Sequence, residues 1–144
     1  MKCITLTLIA LLTSLEVGSA SFTRRAEMPF STTNMLKIMN EVGIVYPDIV
    51  MAQAKIETGH FTSRVFRENH NLFGMRLPRQ RSTTATGEQY NHASYTSWRQ
   101  SVIDYKLWQD RVLIKVKSKR AYLKYLSKYY ATDKKYVKLI EKMI

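Results

Sequence analysis

Apolar residues recur at the three- and four-residue spacing of amphipathic helices along most of this chain. The first group, at positions 35, 36, 38 and 39, follows Ser and Thr residues suited to capping a helix, and it ends at Gly43. A second helix is predicted from Pro47, a residue favoured in a first turn, to about Thr58. Further helices are predicted over about 62–68, from the cap Ser97 past Trp108, and over about 120–129 and 133–143.

Two neighbouring segments break the helical pattern. Residues 69–80 are predicted to form a loop, with Gly74 and Pro78 as punctuation. Residues 81–95 are rich in Thr and Tyr, carry Gly87 near the middle, and predict a β-hairpin. The expected fold class is therefore mainly α, with a small β-hairpin lobe inserted in the middle of the chain.

The second predicted helix ends on a carboxylate. Val50, Ala54 and Glu57 lie at positions i, i+4 and i+7, so Glu57 extends an apolar face. Partial loss of solvent there should raise the pKa of the carboxyl group, and a glutamic acid that stays protonated near neutral pH can donate a proton to a leaving oxygen. The competing interpretation is an ordinary surface glutamate near a helix end.

The loop after this helix has the composition of a sugar-binding segment. Asn71 and backbone amides can bind sugar hydroxyls or acetamido groups, and Gly74 permits close approach of the backbone to a ligand. Phe73 or Tyr90 could stack on a sugar face, although core packing is the alternative for Phe73 and the preferred interpretation for Leu72. The clustered tyrosines near the C-terminus are expected to be mostly core or interface residues rather than a sugar platform.

The first twenty residues have the pattern of a secretory signal peptide: Lys2, an apolar run at 4–12, and small residues before a cleavage point after about Ala20. Since Cys3 would leave with this peptide, no thiol chemistry is expected of the remainder. We therefore expect a secreted or periplasmic protein. Its expected parts are a signal peptide (1–20), an N-terminal arm (21–30) and one domain (31–144).

The chain carries a formal net charge of +12, which favours a polyanionic partner. For an exported protein, anionic envelope polymers are expected rather than nucleic acid, and part of the charge is a solvated face, as at 115–120. The histidines at 60, 70 and 92 lack a metal-binding spacing such as H-E-x-x-H, and no phosphate loop or nucleophile elbow is present. No metal and no cofactor are therefore expected, and a monomer is the expected state.

Four blocks of sequence, "AKIETGHF", "NLFGM", "SYTSWRQSVIDY" and "YATDKKYVKLI", follow one another in a specific order and spacing. Together they resemble the glucosaminidase domain of glycoside hydrolase family 73, over about residues 32–144. The resemblance implies a lysozyme-like α+β fold with the hairpin lobe beside the cleft, and it implies cleavage of peptidoglycan glycan strands.

The resemblance also implies roles for individual residues. Glu57 matches the catalytic glutamate, the general acid, and Tyr130 matches an active-site tyrosine. The segment 71–74 matches the loop that closes the cleft, and Trp98 matches a structural aromatic position. The chain departs from the family pattern where Tyr129 and Lys134 replace glycine and proline, and where His60 and Phe61 follow the glutamate. These differences bear on the helix start at Asp133 and on sugar contacts, for which His60 is a candidate.

The sequence alone leaves the identity of the second catalytic group undecided. Glycosidases often use two carboxylates. Glu88, on the predicted hairpin, is the first candidate because the family's second acidic residue, where assigned, lies on this lobe. Asp104 is the next candidate, although its helical position favours a structural salt bridge. Alternatively the acetamido group of the substrate acts as nucleophile, and Tyr130 orients that group or the attacking water.

The function expected from the sequence is that of an endo-beta-N-acetylglucosaminidase acting on peptidoglycan. It would cleave the beta-1,4 bond after N-acetylglucosamine with Glu57 as general acid. The alternatives are a catalytically weak or silent glycan-binding or assembly module on the same fold, a lytic transglycosylase, and a basic nucleic-acid binder, which the leader and the four blocks oppose.

Overall fold

The structure, a computed structural model, describes residues 27–130 and 135–144. The predicted signal peptide, most of the predicted arm and Asp133 lie outside these residues. Within them, six helices and two short strands follow one another along the chain. They are α1 (Thr32–Glu41), α2 (Pro47–Glu57), α3 (Arg64–Asn69), β1 (Gly87–Gln89), β2 (His92–Ser94), α4 (Trp98–Leu113), α5 (Lys119–Tyr129) and α6 (Tyr136–Glu141).

The buried α2 helix packs against α1 on one side and α6 on another. One apolar cluster joins its Val50 and Ala54 to α1, to the loop after α3 and to α4. A second cluster joins its Ile49 and Ala52 to α5 and α6. Because α2 supplies side chains to both clusters, the residue at its C-terminal end, Glu57, is held at a fixed place between the two halves of the core.

Local sequence signals account for most helix starts. Ser31, Ser63 and Ser118 each accept a hydrogen bond from a backbone N–H in the first turn of α1, α3 and α5. Pro47 stands at the start of α2, as predicted. Ser97 occupies the N-cap of α4, but its side chain makes no capping hydrogen bond.

The β-hairpin is shorter than predicted. β1 pairs antiparallel to β2 with Glu88 opposite Ala93, and the chain turns at Tyr90 and Asn91. The segment 81–86 has no strand, and two of its side chains bond to α4: Thr84 donates to the carbonyl of Gln100 at 2.6 Å, and Arg81 donates to Asp104. β2 is tied to the preceding loop by the bond from the Ala93 N–H to the Met75 carbonyl at 2.8 Å.

The mainly helical fold with a small hairpin lobe is confirmed. One start differs, since α3 begins at Arg64 rather than at about Thr62. α4 runs past Trp108, as predicted, to Leu113, and α6 spans Tyr136–Glu141, whereas its predicted start at Asp133 lies outside the described residues. Leu72 and Trp98 are buried, as predicted, and the Trp98 indole N–H donates to the Met28 carbonyl at 3.1 Å. In the described part of the chain, no helix is long and apolar enough to cross a membrane.

Candidate active site

Glu57 is the last residue of α2, and the turn that follows it is locked by Thr58. The Thr58 hydroxyl donates to the Ala54 carbonyl at 2.6 Å and accepts from the Phe61 N–H at 2.8 Å. Val50 and Ala54, on the same helical face, are fully buried, whereas Glu57 is half-buried. The apolar face therefore does end on a carboxylate that is shielded but not sealed from solvent.

Burial raises the pKa of Glu57 above its ordinary value. Two smaller effects oppose it: a hydrogen bond with the hydroxyl of Tyr136, and the positive charge of His92. A carboxyl group in this state keeps its proton to a higher pH than a surface glutamate, which is the property required of a general acid.

Gly74 faces this carboxylate. Its backbone has φ +62°, in the left-handed region, and a Cβ atom built on it would lie 3.1 Å from Oε2 of Glu57. The position therefore requires glycine for two reasons, conformation and space. The group close to Gly74 in the structure is the Glu57 carboxylate, whereas the sequence prediction concerned approach to a ligand.

Asn71 holds the loop that carries Gly74. Its side chain is buried; Nδ2 donates to the carbonyls of Met75 and Ala93, both at 2.9 Å, and Oδ1 accepts from the N–H groups of Phe73 and Met75. We expected Asn71 to bind sugar, but its polar atoms are bound to the protein. Its effect on the site is to fix the loop between α2 and the hairpin.

Aromatic rings form much of the wall of a cavity beside Glu57, here named the Glu57 cavity. The hydroxyl of Tyr130 donates to the Phe73 carbonyl at 2.6 Å, and the Tyr130 ring lies edge-on to Trp108 at 5.3 Å. The rings of Tyr125 and Tyr129 are 4.8 Å apart. The residues that line the cavity are Glu57, Phe73, Gly74, Met75, Arg76, Trp108, Tyr125, Tyr129 and Tyr130.

Two sequence interpretations are corrected here. The Phe73 ring is 1% exposed and packs on Tyr105 at 4.3 Å, so it belongs to the core rather than to a sugar-stacking surface. Tyr125 and Tyr129, expected to be core or interface residues, line the Glu57 cavity, and Tyr129 is 63% exposed. Tyr122 and Tyr136 are buried, as expected.

Of the hairpin residues, His92 has a small electrostatic effect that lowers the pKa of Glu57. The Nδ1 of His92 lies 2.6 Å from the Tyr90 carbonyl, which can only accept, so Nδ1 donates this hydrogen bond. Glu88 is exposed on β1 and is not among the described residues that line the Glu57 cavity. Glu57 is the single carboxylate among those lining residues.

Asp104 is structural, as its helical position indicated. It is completely buried, receives two hydrogen bonds from Arg81 at 2.6 and 2.9 Å, and receives a third from Tyr95 at 2.8 Å. Burial by itself would raise its pKa, but hydrogen bonds from Arg81, Thr83 and Tyr95 outweigh burial and hold the pKa below its ordinary value. This carboxylate ties the 81–86 segment to α4 and is closed to substrate.

The other two candidates lie away from the Glu57 cavity. Tyr90, at the hairpin turn, hydrogen bonds to Glu68 and Arg64, and the Arg64 guanidinium lies 3.9 Å from the ring centroid, so one face of the ring is covered. His60 has φ +58° and an exposed side chain in the turn after α2. Neither residue lines the Glu57 cavity.

Sequence reasoning missed Trp108 and Arg76 as residues that line the Glu57 cavity. Trp108 lies on α4, and the periodic pattern that predicts this helix cannot show which of its side chains border a cavity. Arg76 follows the "NLFGM" block directly, and its position beside Gly74 was an available signal.

Comparison with known proteins shows a family match over most of the chain. The glucosaminidase family model, described as mannosyl-glycoprotein endo-beta-N-acetylglucosaminidase, matches residues 32–144. Protein bax from Escherichia coli (strain K12) is 34% identical over 68 residues, which are 47% of this chain and 25% of that protein. The match thus spans about a quarter of the length of this curated relative.

Two solved structures share the fold. One is a type VI secretion system effector-immunity complex from Pseudomonas protegens, with a TM-score of 0.56, 17% identity, and coverage of 74% of this chain and 81% of that one. The other is the catalytic domain of the autolysin Auto from Listeria monocytogenes, with a TM-score of 0.51, 18% identity, and coverage of 83% and 86%. At these identities the similarity concerns the fold.

Proposed function

This chain belongs to the glucosaminidase family, and from that premise we propose that it hydrolyses the beta-1,4 bond after N-acetylglucosamine in peptidoglycan, with Glu57 as general acid. The observation that carries the proposal is the state of Glu57. It is a half-buried carboxylic acid with a raised pKa, and it stands in a cavity with aromatic walls. A protonated acid in such a place can protonate the glycosidic oxygen as the bond from that oxygen to the sugar C1 breaks.

The walls of the cavity support a sugar substrate. Trp108, Tyr125 and Tyr129 present ring surface, and Arg76 adds a cation at the rim. Apolar ring faces match the C–H faces of pyranose rings, and a small number of polar groups beside them can fix orientation. Tyr130 and Gly74 hold the reacting end of the cavity against Glu57.

For the second catalytic group we favour the acetamido group of the substrate. The residues that line the Glu57 cavity include no carboxylate besides Glu57, and Glu88 lies exposed on the hairpin. In this route the acetamido oxygen attacks C1 while Glu57 gives its proton to the leaving oxygen. Water then attacks C1 as the bond from C1 to the acetamido oxygen breaks, and the water gives a proton to Glu57. The acetamido group is restored and the anomeric configuration is retained.

Mass spectrometry of peptidoglycan digested by the purified protein tests the proposal. We expect fragments with reducing N-acetylglucosamine ends. Reducing N-acetylmuramic acid ends would show that the other glycosidic bond is cleaved. An anhydro sugar would show lytic transglycosylase chemistry, and an intact polymer would favour the silent binding module. Each of these three results contradicts the proposed reaction.

Export and attraction to anionic polymers complete the proposal. The predicted signal peptide at 1–20 supports a secreted or periplasmic location, and the net charge of +12 supports retention on anionic envelope polymers. Salt screens the attraction between exposed charges, and the Debye length is about 3 Å at 1 M salt. Binding to isolated sacculi should therefore weaken steeply as salt rises, whereas salt-independent binding would refute an electrostatic role.

A further inference from the structure

Behind Glu57, a series of buried side chains forms an unbroken path of hydrogen bonds across the core. We name it the buried hydrogen-bond chain. Its members are contributed by α2, α4, α5 and α6, and all of them are nearly or completely inaccessible to solvent. In order they are Gln109, Tyr122, Tyr105, Gln53 and Tyr136.

The far end of the chain is anchored on the backbone. Gln109 accepts from the Val45 N–H at 2.9 Å and donates to the Val45 carbonyl at 2.7 Å. Since an N–H can only donate and a carbonyl can only accept, this pair fixes which end of the Gln109 amide is oxygen and which is nitrogen. The Gln109 nitrogen then donates to the Tyr122 hydroxyl oxygen at 3.0 Å.

The remaining bonds point the same way. The Tyr105 hydroxyl donates to Gln53 Oε1 at 2.5 Å, so the 2.6 Å bond between the Tyr122 and Tyr105 hydroxyls must be donated by Tyr122. Gln53 Nε2 in turn donates to the Tyr136 hydroxyl oxygen at 3.2 Å. Every donor along the chain is thus directed towards α6, and bonds aligned in this way polarise and strengthen one another.

Tyr136 stands where the chain meets the active site. Its oxygen accepts from Gln53, which lies one helical turn before Glu57 on α2, so the Tyr136 hydroxyl stands near the Glu57 carboxyl group with its hydrogen available. In keeping with this placement, Tyr136 lowers the pKa of Glu57. We propose that Tyr136 is a positioning residue for Glu57: its hydroxyl, oriented by the buried hydrogen-bond chain, donates to one carboxyl oxygen and keeps the acidic proton on the other oxygen, which faces the Glu57 cavity.

The consequence for catalysis rests on the proposed function. A general acid must present its proton to the glycosidic oxygen within hydrogen-bond reach, and a rotated carboxyl group would present a lone pair. The chain orients Glu57 from a side that substrate cannot reach, whereas Gly74 limits its movement from the cavity side.

The test compares Tyr136→Phe with Tyr95→Phe. Both variants remove one hydroxyl from a largely buried tyrosine, but Tyr95 bonds to Asp104 and has no part in the chain. The first measurement is a carbon-13 NMR titration of glutamate side-chain carboxyls, with the Glu57 signal assigned from Glu57→Gln. We expect the Glu57 midpoint to move to higher pH in Tyr136→Phe, because a hydrogen bond to the ionised form is lost, and to stay in place in Tyr95→Phe.

The second measurement is the pH profile of kcat and KM on peptidoglycan fragments. For Tyr136→Phe we expect kcat to fall about tenfold with little change in KM, since one charge-assisted hydrogen bond is lost from the acid rather than from substrate binding. The alkaline limb should move to higher pH. Tyr95→Phe should change stability alone.

Tyr105→Phe provides a second test that does not depend on the folding of Tyr136→Phe. It removes the bonds of Tyr105 to Tyr122 and Gln53 but leaves the bond from Gln53 to Tyr136 in place. We therefore expect the Glu57 midpoint to move to higher pH by less than in Tyr136→Phe. Unchanged Glu57 midpoints in the folded chain variants, or an equal shift in Tyr95→Phe, would overturn the proposal. Because the titration needs no substrate, an inactive wild-type protein would refute the proposed function and leave the positioning test intact.

Discussion

Gly74 and Glu57 are so close that a Cβ atom on the glycine would lie 3.1 Å from a carboxylate oxygen of the glutamate. The two residues come from different elements, the loop after α3 and the end of α2. Both residues line the Glu57 cavity, and the closeness of Gly74 limits the positions open to the carboxyl group. The glycine is thus part of what holds the acid in place.

Replacing Gly74 with Ala should therefore damage the site. A non-glycine residue at φ +62° is strained, by about 1–2 kcal/mol, and the new methyl group would push the Glu57 carboxylate aside. We expect a loss of unfolding free energy of that order and at least a tenfold loss of kcat. Gly87→Ala is the matched control, because a Cβ there meets nothing within 4 Å. Equal activity in the two variants would show that the Gly74 contact is unimportant.

Tyr130→Phe should lower turnover with little effect on thermal stability. The hydroxyl fixes the Phe73 carbonyl at 2.6 Å, and its loss frees the loop that carries Gly74. Steady-state kinetics and a thermal melt of each variant check this. Tyr129→Phe, which alters an exposed neighbour on the same cavity wall, should be nearly silent. If Tyr130→Phe keeps full activity, the tyrosine serves packing alone.

Asp104→Asn should destabilise the fold. Removing one partner of a buried ion pair leaves Arg81 uncompensated and costs about 3–5 kcal/mol, whereas the exposed pair of Asp110 with Lys106 should be worth about 1 kcal/mol or less. Chemical denaturation of Asp104→Asn and Asp110→Asn at neutral pH measures both. Equal losses would contradict the structural role of Asp104.

The pH dependence of the Asp104 contribution follows from its lowered pKa. The carboxylate stabilises the folded state fully above the unfolded-state pKa of about 3.9, and this stabilisation is lost as pH falls through the lower folded-state pKa. The difference in stability between wild type and Asp104→Asn should therefore be largest near neutral pH and shrink below about pH 4.

The sequence predicted the elements of this site better than their contacts. Glu57 could be found because helical periodicity is a local signal, and Gly74 because glycine marks close approach. Whether the Asn71 side chain is free to bind sugar depends on its bond to Ala93, and the orientation of the Tyr136 hydroxyl depends on Gln53, 83 positions away. Such distant pairings are set by the packing of the whole chain, so periodicity alone cannot show whether a polar side chain is free for substrate.

Glu88→Gln distinguishes the two routes for the second step. If the acetamido group of the substrate is the nucleophile, the variant should keep most of its activity, the product should retain the anomeric configuration, and a substrate without the acetyl group should fail. Proton NMR of the fresh product reads the anomer. A loss of several kcal/mol of transition-state stabilisation in Glu88→Gln, or an inverted product, would assign the role to Glu88.

The turnover of Glu57→Gln on purified peptidoglycan tests the central claim most directly. Because burial raises the pKa of Glu57, the ionised side chain disfavours the folded state as pH rises through that pKa, so the variant should be at least as stable as wild type near neutral pH. Loss of general acid catalysis should lower kcat by about 10²–10⁴-fold. A folded Glu57→Gln protein that keeps more than about a tenth of the wild-type turnover would contradict the assignment of Glu57 as the acid.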